Sequence, residues 1–307
     1  MWFKNINAFT VTGFDLSAEG LQELLEKHLF RPCNPNEESQ VGWVSPFGDK
    51  NEVIVHAASG AFVFCMKTED KSVPAAVIKE KLNEMIDEIK RKDPSIKKVK
   101  KDVKQRLVEQ IKEELLPHAF PKVNRLMAYL DTKTGMLIVN TSSQAKAELL
   151  ISLLTASIDQ DVVFKNLLVN DNLSLKMSEW LLEDTTPEEL EVGQRCQIKS
   201  QEDGGTIRYS KHCLDDSKLR QYLESAKVIS ELEFTIEDKH TFILNEEFII
   251  KGIKFLDLLK TESKESGADS DLAQFDADFA IMVGSFRELI SYLVDSFGGI
   301  AQEQEEE

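Results

Sequence analysis

The spacing of hydrophobic positions changes several times along the chain. Phe3 to Val11 suits a strand, and Leu16 to Leu29 carries Leu21, Leu24, Leu25 and Leu29 at helical spacing. Turn formers follow in Pro32-Cys33-Asn34-Pro35-Asn36 and again in Gly42-Trp43-Val44-Ser45-Pro46-Phe47-Gly48. Glu52 to His56 and Ala61 to Met66 then read as a hairpin around Ser59-Gly60.

From Ser72 to Leu116 the rhythm is helical. Pro74 suits a first helical position, and Val77, Ile78, Leu82, Met85, Ile86 and Ile89 follow at steps of three and four. Asp93-Pro94 reads as an N-cap with a proline behind it. It predicts a second helix over Asp93 to Leu116, striped by Ile96, Val99, Val103, Leu107, Ile111 and Leu115. Such a helix would be roughly 35 Å long, and the two would form an antiparallel hairpin. With Ile96 at zero, Lys100, Lys104, Lys97 and Lys101 fall at about 40°, 80°, 100° and 140°, along one border of the apolar stripe. Lys98, at about 200°, stands apart.

Strands are expected again over Asn124 to Asp131 and Met136 to Thr141, around Thr132-Lys133-Thr134-Gly135. Ser143 to Ser157 and Ser217 to Ser225 read as helices, and Val228 to Phe255 as two or three strands. A polar acidic loop, Thr261 to Asp271, precedes a strand over Phe275 to Met282 and a helix over Ser285 to Phe297. Gly298-Gly299 stops that helix, and Glu303 to Glu307 is an acidic tail. The class is α+β, a mixed hairpin and sheet body with a protruding antiparallel helical hairpin. The expected division is a central region (1–73 with 117–175), a helical arm (74–116) and a C-terminal α+β region (176–307).

Composition adds a core, a compartment and a charge problem. Of 307 residues, 42% are hydrophobic, enough for a packed interior. No apolar run is long enough to cross a bilayer, and Met1 to Asn5 lacks a secretory pattern, so a soluble cytoplasmic protein is expected. Cys33, Cys65, Cys196 and Cys213 are scattered, and reduced thiols are expected; His212 beside Cys213 does not make a zinc site. The net charge of −17 opposes binding to phosphate. However, residues 90–106 hold nine bases against two acids, a local +7, so the other 290 residues carry −24. With a Debye length of about 8 Å, repulsion from distant acids is screened, and a local basic surface can still hold DNA.

Chemistry that would mark an enzyme is sparse. Gly204-Gly205 forms no phosphate-loop motif, and the five histidines form no motif. Asp276 and Asp278, two apart on the expected strand, would share a face and hold a divalent metal in an alternative reading as a nuclease. A scaffold whose basic arm binds an acidic partner is a further alternative. The candidate DNA contacts are Lys97, Lys98, Lys100, Lys101, Lys104 and Arg106, with Arg208, Lys211, Lys218 and Arg220 as a second, weaker group. Lysine and arginine on phosphate give affinity without sequence preference. Phe120, between Pro117 and Pro121, either packs back onto the body or anchors a partner.

Five short motifs in order resemble the bacterial recombination-associated RdgC family. They are Trp2-Phe3-Lys4-Asn5; Phe30-Arg31-Pro32-Cys33 with Gly42-Trp43-Val44-Ser45-Pro46; Leu115-Leu116-Pro117-His118-Ala119-Phe120; Glu202-Asp203-Gly204-Gly205-Thr206-Ile207-Arg208; and Phe275-Asp276-Ala277-Asp278-Phe279. The resemblance implies two horseshoe-shaped subunits in a head-to-tail-closed homodimeric ring, with duplex DNA through a basic hole. It also implies a nucleoid-associated protein without catalysis or cofactor, linked to replication, that restrains the RecA recombinase by occupying DNA. By the same resemblance Phe120, with His118 beside it, belongs to a subunit contact that acts as a gate, and Lys211 lies on the DNA-facing side. The family often has arginine where His118 stands; histidine charge varies with pH, which argues against a constant phosphate contact there.

Overall fold

The structure, a computed structural model, describes residues 2–48, 51–96, 98–158, 161–211, 214, 217–225, 227–236, 239–256 and 270–301. The first sheet is antiparallel and has seven strands: β1 (Asn7–Thr12), β2 (Ser39–Val44), β3 (His56–Ala58), β4 (Ala61–Lys71), β5 (Pro121–Asp131), β6 (Met136–Val139) and β7 (Val163–Asn166). Their order is β2-β4-β5-β6-β1-β7, with β3 also on β4. The second sheet runs β12-β11-β10-β8-β9, built from β8 (Glu191–Ser200), β9 (Thr206–Ser210), β10 (Lys227–Ile236), β11 (His240–Asn245) and β12 (Ile250–Phe255).

Helices cover both faces of the first sheet. Phe64, Ala128, Leu130, Leu137 and Val139 meet α1 (Ala18–Leu25) and α4 (Gln144–Ser157) on one side. On the other side Ala8, Val63, Tyr129 and Ile138 join a core shared with α5 (Leu173–Glu183), the second sheet and a long helix α7 (Asp271–Ser296). The short α6 (Ser217–Glu224) lies against β10. Burial on two faces explains why β4 and β5 read as continuous apolar runs instead of an alternation.

The first residues join the two sheets. Ile6 and Ile250 exchange backbone hydrogen bonds of 2.8 and 3.0 Å, and Ile253 N donates to Lys4 O over 2.8 Å. Phe3 is buried, Trp2 lies 4.5 Å from Phe255, and Asn140 Oδ1 accepts from the backbone of Lys4 and Asn5. Gly42 is as constrained: a Cβ there would stand 2.4 Å from Phe30 Cα. Next to it, Trp43 Nε1 donates to Ser157 Oγ at 2.9 Å and fastens β2 to α4.

Both predicted hairpins are present. Ser59 and Gly60 have φ of 53° and 73°, the two left-handed residues of a tight turn between β3 and β4. The first strand of that hairpin begins only at His56. The helices expected near Leu16, Ser143 and Ser217 form, and Val228 to Phe255 yields three strands.

Two expectations fail. Phe275 to Met282 is not a strand; it belongs to α7, capped by Ser270 Oγ accepting from Ala273 N at 3.2 Å. The alternation Phe-Asp-Ala-Asp-Phe imitates a strand over five residues. Over a longer span, buried Phe279, Met282, Val283, Phe286, Leu289, Ile290 and Leu293 keep the three-four rhythm of a helix. The second helix of the arm also starts later than Asp93. Asp93 Oδ1 accepts from Ser95 N and Ser95 Oγ at 3.0 and 2.6 Å, which closes a local turn. That turn competes with helix, as aspartate and serine side chains do. The helix α3 spans Lys101–Leu115, roughly 22 Å, and follows α2 (Ala75–Lys92). Among the described residues no helix is long and apolar enough to cross a membrane.

Candidate nucleic-acid interface

The arm grows out of the longest strand pair. β4 and β5 pair without interruption from Ala61–Asp131 to Lys71–Pro121, and everything from 72 to 120 leaves from that last rung. α2 buries no residue and α3 buries only Ile111, so the two helices rest on each other and hardly on the body. Lys81 Nζ and Glu114 Oε1, 2.7 Å apart, tie them together.

Charge on the arm is graded. The part nearer the body mixes Glu80, Glu109, Glu113 and Glu114 with Lys79, Lys81 and Lys112, and Glu84, Asp87 and Glu88 follow on α2 towards the turn. The bases collect around the turn between the helices. Lys90, Arg91 and Lys92 end α2, where cations suit the negative end of the helix dipole. Lys98 and Lys100 lie in the connection, and Lys101, Lys104 and Arg106 occupy the first turns of α3. Lys98, Lys100, Lys101 and Arg106 are exposed and Lys104 is half-buried. None of these five ion-pairs with another described residue. Cations at a helix start oppose its dipole, and Lys100 supplies no side-chain cap. Free amides and ammonium groups therefore concentrate positive potential at the same end, an arrangement that favours phosphate.

The expected row of lysines on one helical flank is replaced by this cluster, because residues 93–96 and 98–100 are not helical. Lys97 lies outside the described residues. Lys90, Arg91 and Lys92, counted in the sequence as charge only, are brought to the same turn by the hairpin, and their place in the charge run was the signal.

The second group is weaker. Arg208 is exposed on β9, the edge strand of the second sheet, and its Nε donates to Gln197 Oε1 at 2.6 Å. Lys211 is exposed with a left-handed φ of 58°. Nearby bases are matched by acids: Lys199 with Glu246 at 2.7 Å, Lys251 with Glu231 at 2.6 Å and Arg195 with Glu233 at 3.7 Å. Lys218 and Arg220 lie on α6, where Arg220 Nη1 donates to Leu182 O at 2.9 Å. His212 and Cys213 lie outside the described residues, and among the described residues Cys33, Cys65 and Cys196 form no disulfide.

Phe120 does not pack back. It is 94% exposed, directly after a 3-10 turn (Leu116–His118) and before β5, with His118 exposed beside it. Pro121 and the β4–β5 ladder fix the backbone there, so a large aromatic stands in solvent on a stiff support.

Asp276 and Asp278 do not form a carboxylate pair. On α7 they are about 200° apart around the axis. Asp276 Oδ1 lies 2.6 Å from His56 Nε2, and Asp278 Oδ1 accepts from Gln274 Nε2 at 3.1 Å. Among the described residues no group of three carboxylate, histidine or cysteine side chains is placed to hold a metal.

Residues 1–300 match the sequence family described as "Putative exonuclease, RdgC". A recombination-associated protein RdgC from Psychromonas ingrahamii is 34% identical over 301 residues, covering 97% of this chain and 99% of the relative. The protein of that name from Tolumonas auensis matches to the same extent. The one from Salmonella typhimurium is 30% identical over 304 residues, covering 98% of this chain and 99% of its own. The full-length matches lead to one conclusion: the chain belongs to the RdgC family of recombination-associated proteins.

Proposed function

We propose that this protein binds double-stranded DNA without sequence preference, closes around it as a homodimeric ring, and restrains RecA-dependent recombination without catalysing a reaction. The observation that carries the reading is the cluster of mostly exposed cations at the turn of the arm, none of Lys98, Lys100, Lys101, Lys104 and Arg106 ion-paired with another described residue, in a chain of net charge −17. A solvated helix face in so acidic a protein does not need nine bases in seventeen residues. A ring reconciles the two charges: acid faces outward, the basic arm faces the duplex, and closure supplies residence time that contacts alone would not. A two-fold ring needs two self-complementary contacts, and the exposed Phe120 suits one of them.

The deciding experiment is a gel shift on linear against closed circular duplex of equal length. Encirclement predicts that complexes on circles outlast those on short linear DNA, whose ends let a ring slide off. Equal lifetimes on both remove the ring. Absence of a shift at low salt removes DNA binding and favours an acidic protein partner. Incubation with magnesium or manganese should leave the DNA intact.

A further inference from the structure

Tyr129 and Asp131 are two apart on β5 and share one face of the first sheet. Their partners on β6, Ile138 and Met136, stand beside them. α7 crosses this face with Arg287, Ile290, Ser291 and Val294, steps of three, one and three that put all four on one side of a helix. The two surfaces do not close on each other. They leave a cavity of about 430 Å³, within the size range of small-molecule sites.

The walls are mainly apolar, from Met136, Ile138, Ile290 and Val294. The polar groups are placed unevenly. On the β5 side Arg287 Nε and Nη2 donate to Asp131 Oδ2 and Oδ1 at 2.6 and 2.8 Å, and Lys133 N donates to Oδ1 at 3.0 Å. That carboxylate is neutralised and fully engaged. Exposed Ser291 and Asp295 line it on the α7 side.

Tyr129 is the exception. It is 1% exposed, and its ring is wedged between Phe3 and Phe279, with centroids at 5.7 and 5.6 Å. Its hydroxyl has no hydrogen-bond partner among the described residues, and Tyr129 lines the cavity, where solvent reaches that group. Burial pushes this phenol far above its usual range, with Asp131 adding to the shift, so it stays a donor at every physiological pH.

We infer that this cavity is a binding site for a small molecule with an apolar body and an uncharged hydrogen-bond acceptor, the acceptor taking the Tyr129 hydroxyl. The charges decide the class of head group. Arg287 is already committed to Asp131, and Asp295 in the lining repels anions, so an amide, ketone or ether suits the site and a carboxylate does not. The site is independent of the arm and of DNA.

The test uses the full chain and two probes that share a body, hexanamide and hexanoate, titrated by saturation-transfer NMR. Saturable binding of hexanamide is expected in the millimolar range, with hexanoate weaker by about tenfold or more, a difference of roughly 1.4 kcal/mol. Tyr129→Phe keeps the ring and removes the donor, and should weaken hexanamide about 5- to 10-fold. Ser291→Trp changes an exposed residue of the lining and should abolish binding, with far-UV circular dichroism unchanged. The inference is overturned if hexanamide does not saturate, if hexanoate binds equally well, or if both variants bind as the parent does.

Discussion

Arg287 and Asp131, 156 residues apart, meet in a two-pronged ion pair of 2.6 and 2.8 Å that fastens α7 to the end of β5. Arg287 Nη2 also donates to Ser59 O at 3.0 Å, so the same guanidinium reaches the β3–β4 turn. Burial pushes the Asp131 carboxyl up, but the hydrogen bonds from Arg287 and Lys133 outweigh it and hold it below its ordinary value. A carboxylate of lowered pKa stabilises the fold above its unfolded value near 4, and that contribution is lost as pH falls through the folded one. Arg287→Ala leaves a buried charge alone and should cost about 3 kcal/mol. Urea unfolding at pH 7 measures it, and Asp131→Asn combined with Arg287→Ala should cost less than the sum of the two.

His240 should make the fold acid-sensitive. It is 1% exposed, its Nε2 lies 2.6 Å from Ser285 Oγ, and its Nδ1 has no hydrogen-bond partner among the described residues. Burial, with a smaller contribution from Lys239, lowers its pKa to about 4. The unfolded chain takes up a proton below about 6.5 while the folded one stays neutral, so stability is full above that pH and declines as pH falls towards 4. The loss amounts to at most about 3 kcal/mol. Urea midpoints at pH 7 and pH 5 should differ less in a His240→Phe, Ser285→Ala double variant than in the parent.

Gly42→Ala should destabilise by about 2 kcal/mol or more, since the new methyl meets Phe30 Cα at 2.4 Å and Phe30 N at 2.5 Å, and backbone cannot step aside cheaply. The shift in thermal midpoint reports it. A wild-type midpoint in this variant would mean that the crossing of residue 30 over β2 is loose.

Replacing Lys98, Lys100, Lys101 and Lys104 together by glutamine should leave the unfolding midpoint nearly unchanged, because none is ion-paired with another described residue. DNA affinity should drop sharply. With about five phosphate contacts, log affinity falls with log salt at a slope of about −4 to −5, and the variant should flatten it by about 3 to 4. A parent slope near zero, or an unchanged slope in the variant, would place DNA binding elsewhere.

Phe120→Ala should cost the subunit within about 0.5 kcal/mol of stability, as expected for a side chain in solvent. Its effect should appear between subunits instead. Sedimentation is expected to show weaker dimerisation, and release from circular DNA should quicken. Unchanged values of both would leave the exposed ring without a role in closure.

The arm was legible in the sequence because its apolar positions repeat locally every three or four residues, and because nine bases in seventeen residues stand out in an acidic chain. Its second helix was drawn too long since Ile96 and Val99 fit the stripe, while the competing Asp93–Ser95 turn depends on side-chain hydrogen bonds that spacing does not encode. The same limitation acted at Phe275 to Phe279, where five residues are too few to separate a period of two from one of 3.6.

What the sequence determined by itself was local: hairpin turns at Ser59-Gly60 and Gly135, the helices near Ser143 and Ser217, the graded charge of the arm, and family membership through motifs held by turns and buried aromatics. Tertiary structure alone decided which distant side chains meet. It separated Asp276 from Asp278 around a helix, gave Asp276 to His56, joined Arg287 to Asp131, and left Phe120 in solvent and Tyr129 beside a cavity. The physical reason is that periodicity reports which face of an element is apolar, whereas pairing across more than a hundred residues depends on how those faces stack.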